Sequence, residues 1–255
     1  MFASCIVSEK ESLDKGLVRL VLDAPAFAAA AKPGQFVMLK SWQGLEPYLA
    51  RPISLNRIEP DTGRIGLVIR VKGTGTDLLA RCEPGDVIQV HGPLGSSFPV
   101  LADAGRGALV GRGVGAAPLR TLAEAYAARG CQISVYLSAR NERLLLDREV
   151  YKALSASVTV STDPLHKVTE DLEEDCRRMT FDAVYCCGSM RLAEDIRRLQ
   201  KQYRFEAYIS LEARMACGVG ACKSCVCRDM AAADETRYIC ICSEGPVLPL
   251  ERVIQ

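Results

Sequence analysis

The residues best suited to chemistry lie near the C-terminal end, in Cys217-Gly218-Val219-Gly220-Ala221-Cys222-Lys223-Ser224-Cys225, with Cys242 following in Cys242-Ser243-Glu244-Gly245-Pro246. Four residues separate the first two thiols, two separate the next pair, and a distant fourth completes the spacing with which thiolates hold a 2Fe-2S cluster. Gly218 and Gly220 suit such a loop: without a Cβ they can take positive φ and turn backbone amides inward. Hydrogen bonds from those amides to the sulfurs help set the cluster's potential. A structural zinc site would instead use two short Cys pairs set apart, and the second pair is missing here. Cys227 and Cys240 stand two residues from Cys225 and Cys242, so alternation along a strand would put each pair on one face. Spacing alone does not choose the fourth ligand. Cys242 is favoured because it adjoins a Gly-Pro turn, where a strand gives way to a loop that can bend toward a cluster.

The chain has 255 residues, room for two domains and a small appendage. A composition of 49% hydrophobic and 25% charged residues with a net charge of +1 lacks the basic excess of a nucleic-acid binder. No apolar run reaches membrane-spanning length, and the opening residues Met1 to Lys10 do not read as a leader, so a cytoplasmic protein is expected. In that compartment the twelve cysteines read as ligands and buried thiols rather than disulfides, with Cys5, Cys82, Cys131, Cys176 and Cys186 as small hydrophobes. Only two histidines are present, and no Ser/His/Asp set is found.

These ligands must be carried by a framework, and its signals begin at the N-terminus. Short apolar runs (Leu17 to Leu22, Phe36 to Leu39, Ile65 to Val71, Val87 to Val90) are punctuated by Pro33-Gly34 and Pro84-Gly85, which argues for a β-barrel or sandwich. Arg51-Pro52-Ile53-Ser54, between strand-like segments, offers a cation beside a hydroxyl, as an anionic, ring-bearing cofactor would need. Val68-Ile69-Arg70-Val71-Lys72 leads into Gly73-Thr74-Gly75-Thr76 and a helical start, a seat for pyrophosphate or, equally, a plain hairpin turn. His91 reads as a structural residue.

Further on, Ala108 to Val110 reads as a buried strand entering the turn Gly111-Arg112-Gly113-Val114-Gly115, after which Leu119, Leu122 and Tyr126 keep helical spacing. With the strand Ile133 to Leu137 this is a βαβ unit whose glycines allow close approach of a dinucleotide phosphate. Ser138-Ala139-Arg140 stands where an acidic ribose ligand is usual, and Arg140 suits a 2′-phosphate or simply solvent. Val158 to Ser161 and Ala183 to Cys187 look like further parallel strands, the second followed by a helix with Leu192, Ile196 and Leu199 on one face.

Taken in order, Pro33-Gly34-Gln35-Phe36, Arg51-Pro52-Ile53-Ser54, Gly73-Thr74-Gly75-Thr76, Gly92-Pro93-Leu94-Gly95, Glu212 to Cys222 and Cys242-Ser243-Glu244-Gly245-Pro246-Val247 resemble the electron-transfer subunits of NAD-dependent dihydroorotate dehydrogenase, a branch of the ferredoxin-reductase superfamily. The resemblance spans essentially the whole chain. It implies three units: a FAD-binding antiparallel β-barrel at 1–100, a central α/β Rossmann-like parallel-sheet domain at 101–209 and a small 2Fe-2S domain at 210–255. It implies FAD contacts from Arg51, Pro52, Ile53, Ser54, Val68, Ile69, Arg70, Gly75 and Thr76; the glycine turn of the βαβ unit, Gly111, Gly113 and Gly115, is the expected seat of NAD(H). Cys217, Cys222, Cys225 and Cys242 are its implied cluster ligands. The implied partner is an FMN-containing catalytic subunit that oxidises dihydroorotate, in a heterotetramer of two subunits of each kind. Three stretches depart from the family pattern: Arg112 replaces a glycine, Ser161 to Lys167 lacks a glycine-rich loop, and Cys187-Gly188-Ser189-Met190 is shortened. These leave open a reductase component serving another partner, such as a ferredoxin, an oxygenase or a hydrogenase, and a non-enzymatic redox-sensing module.

Overall fold

The computed structural model describes residues 1–100, 105–154, 157–234 and 236–254. The expected boundary at residue 101 lies outside the described residues. Six strands, β1 (Phe2–Asp14), β2 (Leu17–Asp23), β3 (Phe36–Lys40), β4 (Arg51–Glu59), β5 (Arg64–Arg70) and β6 (Val87–Leu94), close a barrel in the order β1-β2-β5-β4-β3-β6. Every pairing in it is antiparallel. Its core takes alternate residues such as Leu20, Leu22, Val37, Leu39, Leu67 and Ile69. The Arg-Pro-Ile-Ser segment, expected between strands, opens β4 itself and pairs with β3 from Leu39↔Arg51 to Phe36↔Ser54. Helix α1 (Pro25–Ala30) plugs the barrel with Phe27 and Ala28, and α2 (Thr74–Ala80) follows β5.

The second sheet holds β7 (Arg106–Arg112), β8 (Gln132–Ser138), β9 (Ser157–Ser161), β10 (Ala183–Cys187), β11 (Glu206–Ser210) and β14 (Val247–Pro249). Its order is β14-β11-β10-β7-β8-β9, parallel throughout except for β14. Helices α3 (Leu119–Ala127) and α4 (Arg148–Ala153) cover one face, packing Leu119, Leu122, Tyr126 and Tyr151 on β7, β8 and β10. Helices α5 (Val168–Arg178) and α6 (Met190–Tyr203) cover the other with Leu172, Leu192, Ile196 and Leu199. Burial on both faces explains why these strands read as unbroken apolar runs.

A small hairpin, β12 (Val226–Arg228) with β13 (Tyr238–Cys240), carries the cysteine-rich segment. It packs against Phe36 and Met38 of the barrel. The chain then returns to the second sheet as β14, so the cysteine unit is stitched to both neighbours. Ser96, just past β6, joins the barrel to β14 by donating from Oγ to Val247 O at 2.8 Å, and within the barrel Gln35 Nε2 donates to Gly95 O at 2.8 Å. Among the described residues no helix is long and apolar enough to cross a membrane.

Candidate functional site

Gly218 and Gly220 have φ of +74° and +80°, and a Cβ on Gly218 would stand 2.8 Å from Met38 Cγ. The loop between Cys217 and Cys222 therefore curls tightly against β3, with its amides turned toward sulfur. Val219 N and Cys222 N each donate to Cys217 Sγ at 3.5 Å, Gly220 N to Cys242 Sγ at 3.0 Å, and Cys242 N to Cys225 Sγ at 3.4 Å. Cys225, Cys240 and Cys242 bring their sulfurs within 4.8 Å of one another. Hydrogen bonds from Ser224 and then from Cys217 hold the exposed Cys222 thiol down at about 6, whereas burial and the neighbouring sulfurs push Cys242 up to about 12. Such a set, soft sulfurs with amide donors aimed at three of the four expected ligands, fits a 2Fe-2S cluster. The expected pairing of faces divides: Cys240 joins the sulfur group, but Cys227 stays outside it, half-buried beside Asp229. Cys225 and Cys242 lie just beyond the ends of β12 and β13, where strand alternation no longer governs.

A cavity opens where the three parts meet. Pro52, Ile53 and Ser54 of β4 line it, with Val68 and Arg70 of β5, Thr76 of α2 and Gly115 of the glycine turn. Ile69 points the other way and is fully buried in the barrel core, as alternation along β5 requires. Arg51 is not in the lining but packs on Gly75: a Cβ there would stand 2.5 Å from Arg51 Nε. The guanidinium lies 5.6 Å from the Trp42 ring centroid and donates to Leu49 O. Thr76 Oγ1 accepts from Lys72 N at 2.9 Å and Gly73 N at 3.1 Å, closing the turn before α2. Sequence reasoning did not assign to this cavity Lys72, Cys187 or the strip Ser210 to Ala213 with Met215 and Pro246. One signal was available: Cys187 and Ser210 end neighbouring parallel strands, and such ends are where ligands sit in open α/β sheets. Apolar walls with Arg70 and Lys72 at the rim suit a ring system carrying phosphates, so the residues present fit FAD.

The glycine turn Gly113–Ala116 stands at the end of β7, where the strand order reverses between β8 and β10. Gly111 packs on Ala116 and Gly115 on Gly188, each leaving no room for a Cβ, while Gly113, at φ +57°, faces open space. The Arg112 side chain leaves the flavin cavity and lines a second one beyond the turn, with Arg140 and Arg191. All three arginines are exposed, and among the described residues none of them has an ion pair. Lys167 is held by Asp195 at 3.2 Å. The other lone residues of interest are structural: His91 lies in β6 beside Phe2, and His166 bonds Asp171 at 2.8 Å.

A closed barrel, a parallel sheet and a cysteine loop converging on one cavity define a flavin- and iron-sulfur-type oxidoreductase subunit of ferredoxin-reductase-like fold. Residues 212–254 match the family model of the iron-sulfur cluster binding domain of dihydroorotate dehydrogenase B, and residues 4–98 that of the oxidoreductase FAD-binding domain. The chain belongs to the family of dihydroorotate dehydrogenase B electron transfer subunits: the NAD(+)-type subunit of Bacillus mycoides (strain KBAB4) is 35% identical over 254 residues, 98% of this chain and 96% of that one. The corresponding subunit of Bacillus cereus (strain Q1) is 34% identical over the same shares. Among solved structures, one described as the NADH-dependent reduced ferredoxin-NADP oxidoreductase of flavin-based electron bifurcation superposes with a TM-score of 0.84 at 25% identity, over 98% of this chain and 90% of that one. The cytochrome b5 reductase domain of Ulva prolifera nitrate reductase shares the fold alone, with a TM-score of 0.63 at 15% identity over 82% and 97% of the two chains.

Proposed function

We propose that this chain carries electrons between an FMN-containing catalytic subunit, which oxidises dihydroorotate in pyrimidine biosynthesis, and NAD(H). The route runs through a 2Fe-2S cluster and FAD, in a cytoplasmic heterotetramer of two subunits of each kind. The observation that carries the reading is the shared wall: Met215 and Pro246 line the flavin cavity and stand two residues from Cys217 and four from Cys242.

In this reading the units are 1–100, 101–209 and 210–255, the middle one Rossmann-like. Pro52, Ile53, Ser54 and Val68 wall the flavin, Arg51 and Arg70 neutralise its phosphates, and Ile69, Gly75 and Thr76 serve through backbone and turn. Gly111, Gly113 and Gly115 shape the approach of the nicotinamide dinucleotide, with Gly113 the position open to a phosphate. Cys217, Cys222, Cys225 and Cys242 hold the irons.

Held by the residues named above, FAD would supply hydride exchange with nicotinamide and a 2Fe-2S cluster would supply one-electron transfer. The protein's own part is positional and electrostatic. The apolar wall excludes water, and the amides of Val219, Gly220, Cys222 and Cys242 stabilise negative charge on the sulfurs. Cys187, whose thiol burial and then the Glu212 charge push up to about 12, lines the cavity as a neutral thiol whose proton is donated to Ser210 O at 3.5 Å.

Anaerobically purified protein is expected to show flavin bands over an iron-sulfur envelope and to be reduced by NADH, flavin and cluster together. With its companion subunit, dihydroorotate reduces both. Protein without iron and acid-labile sulfide, or cofactors that NADH leaves oxidised, would sink the reading. A reductase component serving a different partner is favoured by one observation, the likeness over 98% of this chain to the ferredoxin-NADP oxidoreductase structure. Identification of the subunit that co-purifies with the native protein separates the two.

A further inference from the structure

The cysteine unit holds two sulfurs more than the four a 2Fe-2S cluster uses, and the place of one of them, Cys240, is specific. Cys240 Sγ lies 3.6 Å from Cys225 Sγ and 3.9 Å from Cys242 Sγ, with all three side chains buried. Cys227, the other surplus thiol of the hairpin, is outside this group. What separates Cys240 from its two neighbours is the backbone around it. Gly220 N donates to Cys242 Sγ and Cys242 N to Cys225 Sγ, whereas among the described residues no amide donates to Cys240 Sγ. Amides aimed at a sulfur stabilise the charged thiolate that a metal needs. By the placement of backbone amides Cys225 and Cys242 are marked as resident ligands, and Cys240, 3.9 Å from the Cys242 sulfur, has no amide donor of its own among the described residues.

We propose that Cys240 is a reserve ligand: when the Cys242 sulfur is lost to the iron, Cys240 takes its position and the cluster persists. The inference rests on the reading of Cys217, Cys222, Cys225 and Cys242 as the resident set. The exchange is redox-neutral. The Cys240 S–H bond breaks and its proton leaves to solvent, an Fe–S bond forms to Cys240, the bond to Cys242 breaks, and the Cys242 sulfur takes up a proton. Little backbone movement is required, because Cys240 ends β13 and Cys242 follows it across a single residue. The turn is anchored independently of either thiol: Cys240 N donates to Glu244 Oε1 at 2.9 Å, and Glu244 N to Cys240 O at 2.8 Å.

The test is a set of three variants of the full chain, purified anaerobically: Cys242→Ala, Cys240→Ala and the double variant. Alanine is chosen because a serine oxygen could itself bind iron; Cys242→Ser is carried alongside as the closer match in volume. Iron and sulfide content and the EPR spectrum of the dithionite-reduced protein are read, with far-UV circular dichroism and retained flavin reporting folding. Cys240→Ala should match the wild type. Cys242→Ala should keep its cluster with shifted g values, because the new ligand lacks the Gly220 amide, and the double variant should lose it. A folded Cys242→Ala as empty as the double variant overturns the reserve role and leaves the resident set standing. An empty Cys240→Ala beside a filled Cys242→Ala overturns the resident set itself.

Discussion

Arg19 of the barrel and Asp147 of the central unit meet at 2.7 Å, and the Asp147 side chain is 2% exposed. Asp147 also receives Arg120 at 3.1 Å and Asn56 Nδ2 at 2.9 Å, so one carboxylate gathers β2, β4 and α3. Asn56 Nδ2 further donates to Ala117 O at 2.9 Å, beside the flavin cavity. The cluster thereby fixes the angle at which the glycine turn faces the flavin wall. Asp147 takes φ +57°, a conformation Asp and Asn tolerate better than other residues. Asp147→Ala should cost about 3 kcal/mol, the lower end for breaking a buried ion pair. The lower end applies because Arg19 keeps Glu11 at 2.6 Å and Arg120 keeps Glu124 at 2.8 Å. Asp147→Asn, which keeps shape and backbone tolerance, should lose less. Chemical denaturation of the three proteins checks the ranking, and an asparagine variant as stable as the wild type would contradict the electrostatic account.

Arg51 and Gly75 form the second relationship that a substitution can probe. A methyl group on Gly75 would stand 2.5 Å from Arg51 Nε, and the nearby guanidinium is a flexible group that can swing away. Gly75→Ala should therefore leave the fold intact and displace the cation. Arg51→Ala should weaken flavin retention by about 1.5 to 3 kcal/mol if a charge-assisted bond to phosphate is lost. Flavin affinity of both variants, by fluorescence titration of the deflavinated protein, should fall together. Unchanged affinity in Arg51→Ala removes Arg51 from the site.

Much of this arrangement was legible in the sequence where a local rule governs. Leu17 to Leu22 and Phe36 to Leu39 are strands because apolar runs between turn residues leave few alternatives, and Cys217 to Cys225 is readable because three of the four expected ligands lie in one loop. Legibility stops where placement is tertiary. The segment Ser210 to Met215 gives no sign of lining a flavin cavity until β11 lies beside β10 and faces β4. Neither does spacing show that Cys240, and not Cys227, reaches Cys225, since that depends on where the hairpin ends. Strand β1 was missed because its outer half, Glu9-Lys10-Glu11-Ser12, is polar on both faces.

Gly220 tests whether amide direction matters to the cluster. Its φ is +80°, and a Cβ would stand 2.8 Å from Ser243 Oγ. Gly220→Ala should strain the loop and turn its amide away from Cys242 Sγ, now 3.0 Å distant. A sulfur that loses a donor holds an added electron less well, so the reduction potential should move to more negative values, with some loss of iron. An EPR-monitored redox titration reads the shift. A potential equal to the wild type at full iron content would show that this bond does not tune the cluster.

Buried thiols away from the cluster make the stability depend on alkaline pH, and the sign follows from their shifts. Burial first, then the charge of Glu212, raises Cys187 to about 12; burial, with Asp175 and Glu173, raises Cys176 to about 11; Cys186 is raised in the same direction. In the unfolded chain a thiol ionises at about 8.5. Below that pH both states hold the proton and the contribution to stability is full. Above it the unfolded chain releases protons that the folded one keeps, so stability falls as pH rises toward 12. Melting temperature should be flat between about pH 7 and 8 and decline beyond about 9, the window set by the free-thiol value. Cys186→Ala should lower the whole curve through the lost packing and make the alkaline decline shallower. Iodoacetamide at neutral pH should leave Cys186, packed under α5 and α6, unmodified until the protein is unfolded; labelling of Cys186 in the folded protein would show that the sheet opens far more readily than its packing implies.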